Sequence, residues 1–151
     1  MPIYHGKDLR IGRYSETGRP YLVTTVTRKR DPLFKDFYLA RLLVNVLRHC
    51  EEQGRVYSYA WVVMPDHLHW LLAPRASPLA ATMQLLKSRS ALAVNRRRRQ
   101  RGPVWQKGYH DHAIRRDEAL VTTARYIVAN PLRAGIVRRL GDYPHWDAVW
   151  L

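Results

Sequence analysis

Cysteine is almost missing from this chain: Cys50 is the only one among 151 residues. That excludes an intrachain disulfide and any cysteine-based zinc site, and within its apolar-periodic segment Cys50 reads as a small buried hydrophobe. Long hydrophobic runs are missing too. No stretch approaches the roughly 18–20 apolar residues that cross a bilayer, and the polar N-terminus carries no signal-peptide core. No helix pairs a basic face with a broad Trp/Leu face, so the expectation is a cytoplasmic protein with no membrane partner. Acidic residues are scarce: Asp and Glu number 12 against 26 Lys and Arg, a formal net charge of +14. Fixed positive charge on that scale attracts polyanions, and nucleic acid is the commonest polyanion in a cell. Repeats and linkers are absent as well. With 46% hydrophobic and 25% charged residues, the composition is that of a folded chain, and residues 1–151 are read as one domain.

What is present alternates between strand and helix patterns. Residues 1–20 contain Gly6, Gly12, Gly18 and Pro20 and read as an irregular basic arm. Tyr21 to Thr27 is β-branched and predicts a first strand. Phe34 to Gln53 carries Phe37, Ala40, Val44 and Leu47 at helical spacing, and Gly54 ends the helix. Arg55 to Met64 and His67 to Ala73, split by Pro65-Asp66, predict an antiparallel hairpin. Ser77 reads as an N-cap before Pro78, opening a helix that points Leu79, Met83, Leu86 and Ala93 at the core and stops at Gly102-Pro103. Val104 to Ile114 reads as a fourth strand. Glu118 to Ala129 reads as a last helix, ended by Asn130-Pro131, with residues 141–151 left as a short tail. The expected fold is α+β, an antiparallel sheet of ferredoxin-like or RRM-like type with helices packed on one face.

Two features carry chemistry. In a strand, His67 and His69 point to one face and Leu68 to the other, which sets two imidazoles roughly 7 Å apart at Cβ, able to tilt toward one divalent cation. Taken alone, the pair is also what two ordinary half-buried histidines look like. Tyr126 and Asn130, at i and i+4, share a helical face. An amide oxygen is a hard ligand that could complete a site begun by two histidines, and a phenol beside it could attack a phosphate. The bland alternative is a packed aromatic and a helix-ending residue before Pro131.

Together these segments resemble a family. AWVVMPDHLHWLL (Ala60 to Leu72), VWQKGYHDHAIR (Val104 to Arg115) and ARYIVANPLRAGIV (Ala124 to Val137) are similar to the REP-associated tyrosine transposases, relatives of the single-tyrosine HUH transposases of insertion sequences. The stretch from Gly12 to Phe34 is similar to that family's N-terminal segment. HUH stands for His, hydrophobic, His, here His67-Leu68-His69. The resemblance implies that His67 and His69 are metal ligands, with Asn130 as the third, and that Tyr126 is the nucleophile. It implies Mg²⁺ or Mn²⁺ as the ion. The implied substrate is single-stranded DNA with hairpin-forming palindromic repeats, cut and rejoined through a 5′-phosphotyrosine by a monomer or a homodimer.

Other residues are candidates for touching DNA. Arg96, Arg97, Arg98 and Arg99 form a basic helix end, and His112 and Arg115 follow in the next segment. His110 and His112 form a second H-x-H, with a DNA contact or a supporting hydrogen bond favoured over metal ligation. Among the tryptophans, Trp61 and Trp70 read as core. Tyr57, Tyr59 and Tyr109 are the rivals to Tyr126. The competing function is a non-catalytic RRM-like module for single-stranded nucleic acid, against which the K/R-G-F/Y-G/A-F-V-x-F/Y signature is absent.

Overall fold

Burial alternates strictly along β1 (Tyr21–Val26): Tyr21, Val23 and Thr25 are buried, while Leu22, Thr24 and Val26 are half-buried on the other face. This strand opens the computed structural model, which describes residues 18–115 and 117–150; most of the expected N-terminal arm lies outside the described residues. Helix α1 (Phe37–Glu52) follows a 3₁₀ turn at Leu33–Lys35 and is capped by the Asp36 carboxylate, which accepts from the backbone N–H of Tyr38 and Leu39. The helix therefore starts later than its apolar spacing suggests. Phe34 precedes it and packs on Trp105, and Phe37 stays half exposed outside the buried face of Leu39, Ala40, Leu43, Val44, Leu47 and Cys50. Gly54, at φ +73°, turns the chain into β2 (Val56–Met64), which pairs with β3 (His67–Pro74) across the Pro65-Asp66 turn.

Helix α2 (Leu79–Arg98) begins at an uncapped Pro78. Ser77 is not its cap, because that hydroxyl accepts instead from Arg55. Leu79, Met83 and Leu86 are buried as the spacing requires, but Ser90 and Val94 take the place expected for Ala93. Ser90 stays satisfied by donating to the Leu86 carbonyl and accepting from the Trp105 indole, which is why a serine is tolerated in that core. The helix ends on Arg99 in the left-handed region (φ 55°), before Gly102 is reached. Only His110–Ala113 of the expected fourth strand forms β4; upstream, Trp105 makes a single bridge to Thr27.

Helix α3 (Asp117–Val128) is followed directly by a helical turn, α4 (Asn130–Arg133), so Asn130-Pro131 redirects the chain without stopping it. Proline in a first turn forfeits only an N–H that has no partner there. The expected tail contains β5 (Trp146–Ala148), paired through Ala60↔Ala148 and Val62↔Trp146, and the Tyr143 hydroxyl donates to the Val63 carbonyl.

All pairings are antiparallel, in the order β4-β1-β3-β2-β5. The first four strands and α1–α2 make the α+β, ferredoxin-like arrangement, and β5 widens the sheet. The two long helices pack on one face, over Tyr21, Val23, Trp61, Val63, Leu68, Trp70 and Leu72. On the other face, α3 covers Ala60, Val62, Met64 and Leu71. Side chains alternate along a strand, so His67 and His69 share the α3 face with Leu71.

Candidate functional site

The histidine pair is held by partners that come from strand register. His69 lies opposite Thr24 on β1, and its Nδ1 hydrogen-bonds the Thr24 hydroxyl at 2.8 Å. His67 follows the hairpin turn, and its Nδ1 lies 2.7 Å from the Asp66 carboxylate. The other Asp66 oxygen accepts from Arg30 at 3.1 Å. Burial works to raise the Asp66 carboxyl, but the hydrogen bonds from His67 and Arg30 outweigh it and hold the group below the usual carboxylate range. An ionised carboxylate only accepts, so Nδ1 of His67 carries the hydrogen in that bond. Burial, then the charges of His67 and Arg133, push His69 down to about 4, so it is neutral at pH 7.

These features fit a divalent cation. The two rings meet edge-on, with centroids 4.8 Å apart. Metal–imidazole bonds of about 2.1 Å at right-angled to tetrahedral coordination put two ligand rings roughly 4.5–5.2 Å apart. Nδ1 engaged by a carboxylate or hydroxyl, with Nε2 left over, is the arrangement that orients metal-binding histidines. Among the described residues no three His, Cys, Asp or Glu side chains gather as a cluster.

Tyr126 lies on α3 beside the buried stripe of Leu120, Ala124, Ile127 and Val128 and is 63% exposed. Its ring is covered by Arg133, whose guanidinium carbon sits 3.8 Å from the ring centroid. Arg133 also donates to Asn130 Oδ1 at 3.1 Å. The chain thus brings Tyr126 and Asn130 together through a third residue, despite the break between α3 and α4. The influence of Arg133 on His69 links this helical group to the strand pair.

The rivals to Tyr126 are placed differently. Tyr109 is buried. Tyr57 packs on Tyr59, which stacks on Trp150. Tyr57 pairs with Ala73, four residues beyond His69, or about 13 Å along the strand.

Arg96, Arg97, Arg98 and Arg99 are all exposed at the end of α2. Arg97 lies over the Tyr38 ring, 5.1 Å from its centroid. Arg98 lines a basic cleft with Arg28, Lys29 and Arg101. The turn at Arg28–Arg30 connects that cleft to the histidines, because Arg30 bonds Asp66. His112 and Arg115 are exposed and line a separate cleft with Leu22 and Thr123. His110 lies opposite Thr24, and so on the face of His69 with one strand between them. Trp61 and Trp70 are core, and Trp105 joins them. Sequence reading missed Thr24, Arg30, Asp66 and Arg133. Asp66 had a local signal, an acid beside a candidate ligand; the others are joined to the site only by the fold.

A family model described as Transposase IS200 like matches residues 18–130. The REP-associated tyrosine transposase of Escherichia coli (strain K12) is 29% identical over 137 residues, covering 87% of this chain and 76% of that protein. A relative assigned to the same group in Haemophilus influenzae is 27% identical over 139 residues, covering 85% and 78%. The solved structure of a REP-associated tyrosine transposase bound to a REP hairpin matches with a TM-score of 0.74 at 23% identity, over 97% of this chain and 82% of that one. A Deinococcus radiodurans structure described as a transposase matches at 0.54 and 22% identity, over 75% and 92%. At these identities the two structures speak to the fold.

Proposed function

This chain belongs to the IS200-like transposase family, and from that premise we propose that it is a metal-dependent endonuclease and strand transferase for single-stranded DNA. The observation that carries the proposal is the α3 face of the sheet. There two histidines have Nδ1 engaged and, among the described residues, Nε2 outside any hydrogen bond, and an exposed tyrosine is tied to an amide through one arginine. His67, His69 and Asn130 would hold the ion. When bound, it supplies positive charge against the phosphate oxygens as the pentavalent centre forms.

The protein residues do the rest. Thr24 and Asp66 fix the imidazoles, and Tyr126 Oη attacks phosphorus. The Oη–P bond forms, the P–O3′ bond breaks, the phenol proton passes to solvent, and the leaving oxygen takes up a proton as a 3′-hydroxyl. The 5′-phosphotyrosine conserves the bond energy, so rejoining to another 3′-hydroxyl needs no nucleotide hydrolysis. A solved relative holds a REP hairpin, and we carry that ligand class, a hairpin-forming palindrome, to this chain. The non-catalytic RRM-like reading is less favoured. Such a module stacks bases on sheet aromatics, whereas Tyr21, Trp61 and Trp70 face α1 and α2, and the opposite face of β1 and β3 carries Leu22, Thr24, Val26, His67, His69 and Leu71.

The test incubates an end-labelled hairpin oligonucleotide with Mn²⁺ and the wild type, His67→Ala or His69→Ala. The wild type should yield a denaturation-resistant protein–DNA adduct that EDTA prevents, and both variants should bind DNA yet form none. Adduct formation by both variants, or by wild type in EDTA, would remove the metal from the account.

A further inference from the structure

Arg133 touches both Tyr126 and Asn130. Neither partner is charged, and among the described residues only Asn130 accepts a hydrogen bond from it. A surface arginine beside a carboxylate would have its charge neutralised. Here the charge is kept in full and placed: the guanidinium lies over the phenol ring, and one of its nitrogens is tied to Asn130. Among the described residues nothing else accepts from the guanidinium, which leaves its other N–H donors for a ligand.

A phosphate about to be attacked by a phenol must lie roughly 3–3.5 Å from the hydroxyl oxygen. A guanidinium whose carbon sits 3.8 Å from the centroid of that ring has its donors within reach of such a phosphate. The planar fork of guanidinium donors suits two phosphate oxygens at once, a match an ammonium does not offer. We propose that Arg133 receives the scissile phosphate: stacked on Tyr126, it binds the non-bridging oxygens of the phosphate that the phenol attacks. The proposal rests on the reading of Tyr126 as nucleophile. As Oη–P forms and P–O3′ breaks, negative charge grows on those oxygens, and donors placed there beforehand are worth more in the transition state than in the ground state.

The experiment is a cycle between one side chain and one phosphate. The scissile position is read from the length of the fragment that the wild type releases. A hairpin oligonucleotide is then made with a neutral methylphosphonate at that position, and binding of both oligonucleotides is measured in EDTA, without any metal. Wild type should bind the methylphosphonate about 10- to 100-fold more weakly, the worth of a charged hydrogen bond. Arg133→Ala should bind the two within about twofold, and Arg133→Lys should restore part of the discrimination as a point charge without the fork. Arg133→Ala should also slow adduct formation on the natural phosphate by at least about 100-fold at saturating DNA. Discrimination by Arg133→Ala equal to that of wild type would overturn the proposal while leaving the nuclease reading intact. If wild type releases no fragment from any hairpin, the reading of Tyr126 falls and this inference with it.

Discussion

At the scale of single residues, the site depends on what occupies the second nitrogen of each imidazole. His67 leans on Asp66, which also accepts from Arg30, and His69 leans on Thr24. Asp66→Asn keeps the shape but removes the charge that, under the proposed function, makes His67 the better ligand. It should weaken Mn²⁺ binding by about 10- to 100-fold without changing the circular dichroism spectrum; calorimetric titration checks this, and unchanged affinity would mean that Asp66 is only a turn residue. That His67 and His69 share a strand face was legible in the sequence because alternation is local, while the roles expected of them and of Tyr126 came from the family resemblance. Thr24 and Arg133 were not legible. Thr24 meets His69 only through the β1–β3 register, and Arg133 reaches Tyr126 only because the chain keeps turning after Pro131.

At the scale of elements, the basic cleft is assembled from two distant segments, the Arg28–Arg30 turn and the end of α2. Each phosphate neutralised on single-stranded DNA contributes about −0.7 to the slope of log affinity against log salt. Arg98→Gln with Arg101→Gln should therefore flatten the slope by about 1.4 if both side chains contact phosphate. Equilibrium binding across a salt series measures it, and an unchanged slope would reduce the helix end to a solvated face. Element order was readable because glycines, prolines and apolar periods punctuate it. Three ends misled for physical reasons. Val104–Tyr109 bends at Lys107-Gly108 and pairs only once, through Trp105. Proline proved compatible with a new helical turn. The three residues of β5 are too few to show a period, and they form a strand because the β2 edge supplies partners.

At the scale of the whole molecule, the sheet separates tasks: one face is filled by α1 and α2, and the other is shared between α3, the C-terminal segment and the site. The C-terminal segment also carries a buried histidine against α1. His145 packs among Phe37, Tyr143 and Arg41; burial first, then the Arg41 charge, push it down to about 4. Unfolded, the ring takes up its proton near pH 6.5. Stability from this group is therefore complete above pH 6.5 and lost as pH falls toward 4, by up to about 3 kcal/mol. His69, shifted the same way, adds loss of the same sign. Urea unfolding in EDTA at pH 7 and pH 4.5 should show a smaller acid loss for His145→Gln than for wild type; equal losses would place the acid sensitivity elsewhere. The central claim concerns one oxygen atom. Trypsin cleaves after Arg125 and Arg133, which isolates residues 126–133 as a peptide containing Tyr126 and no other tyrosine. Mass spectrometry of the nuclease-trimmed, trypsin-digested adduct should find the nucleotide phosphate on that peptide, and Tyr126→Phe should bind the hairpin and give no adduct. A nucleotide on the peptide of Tyr57, Tyr59 or Tyr109, or an adduct from the Phe variant, would contradict it.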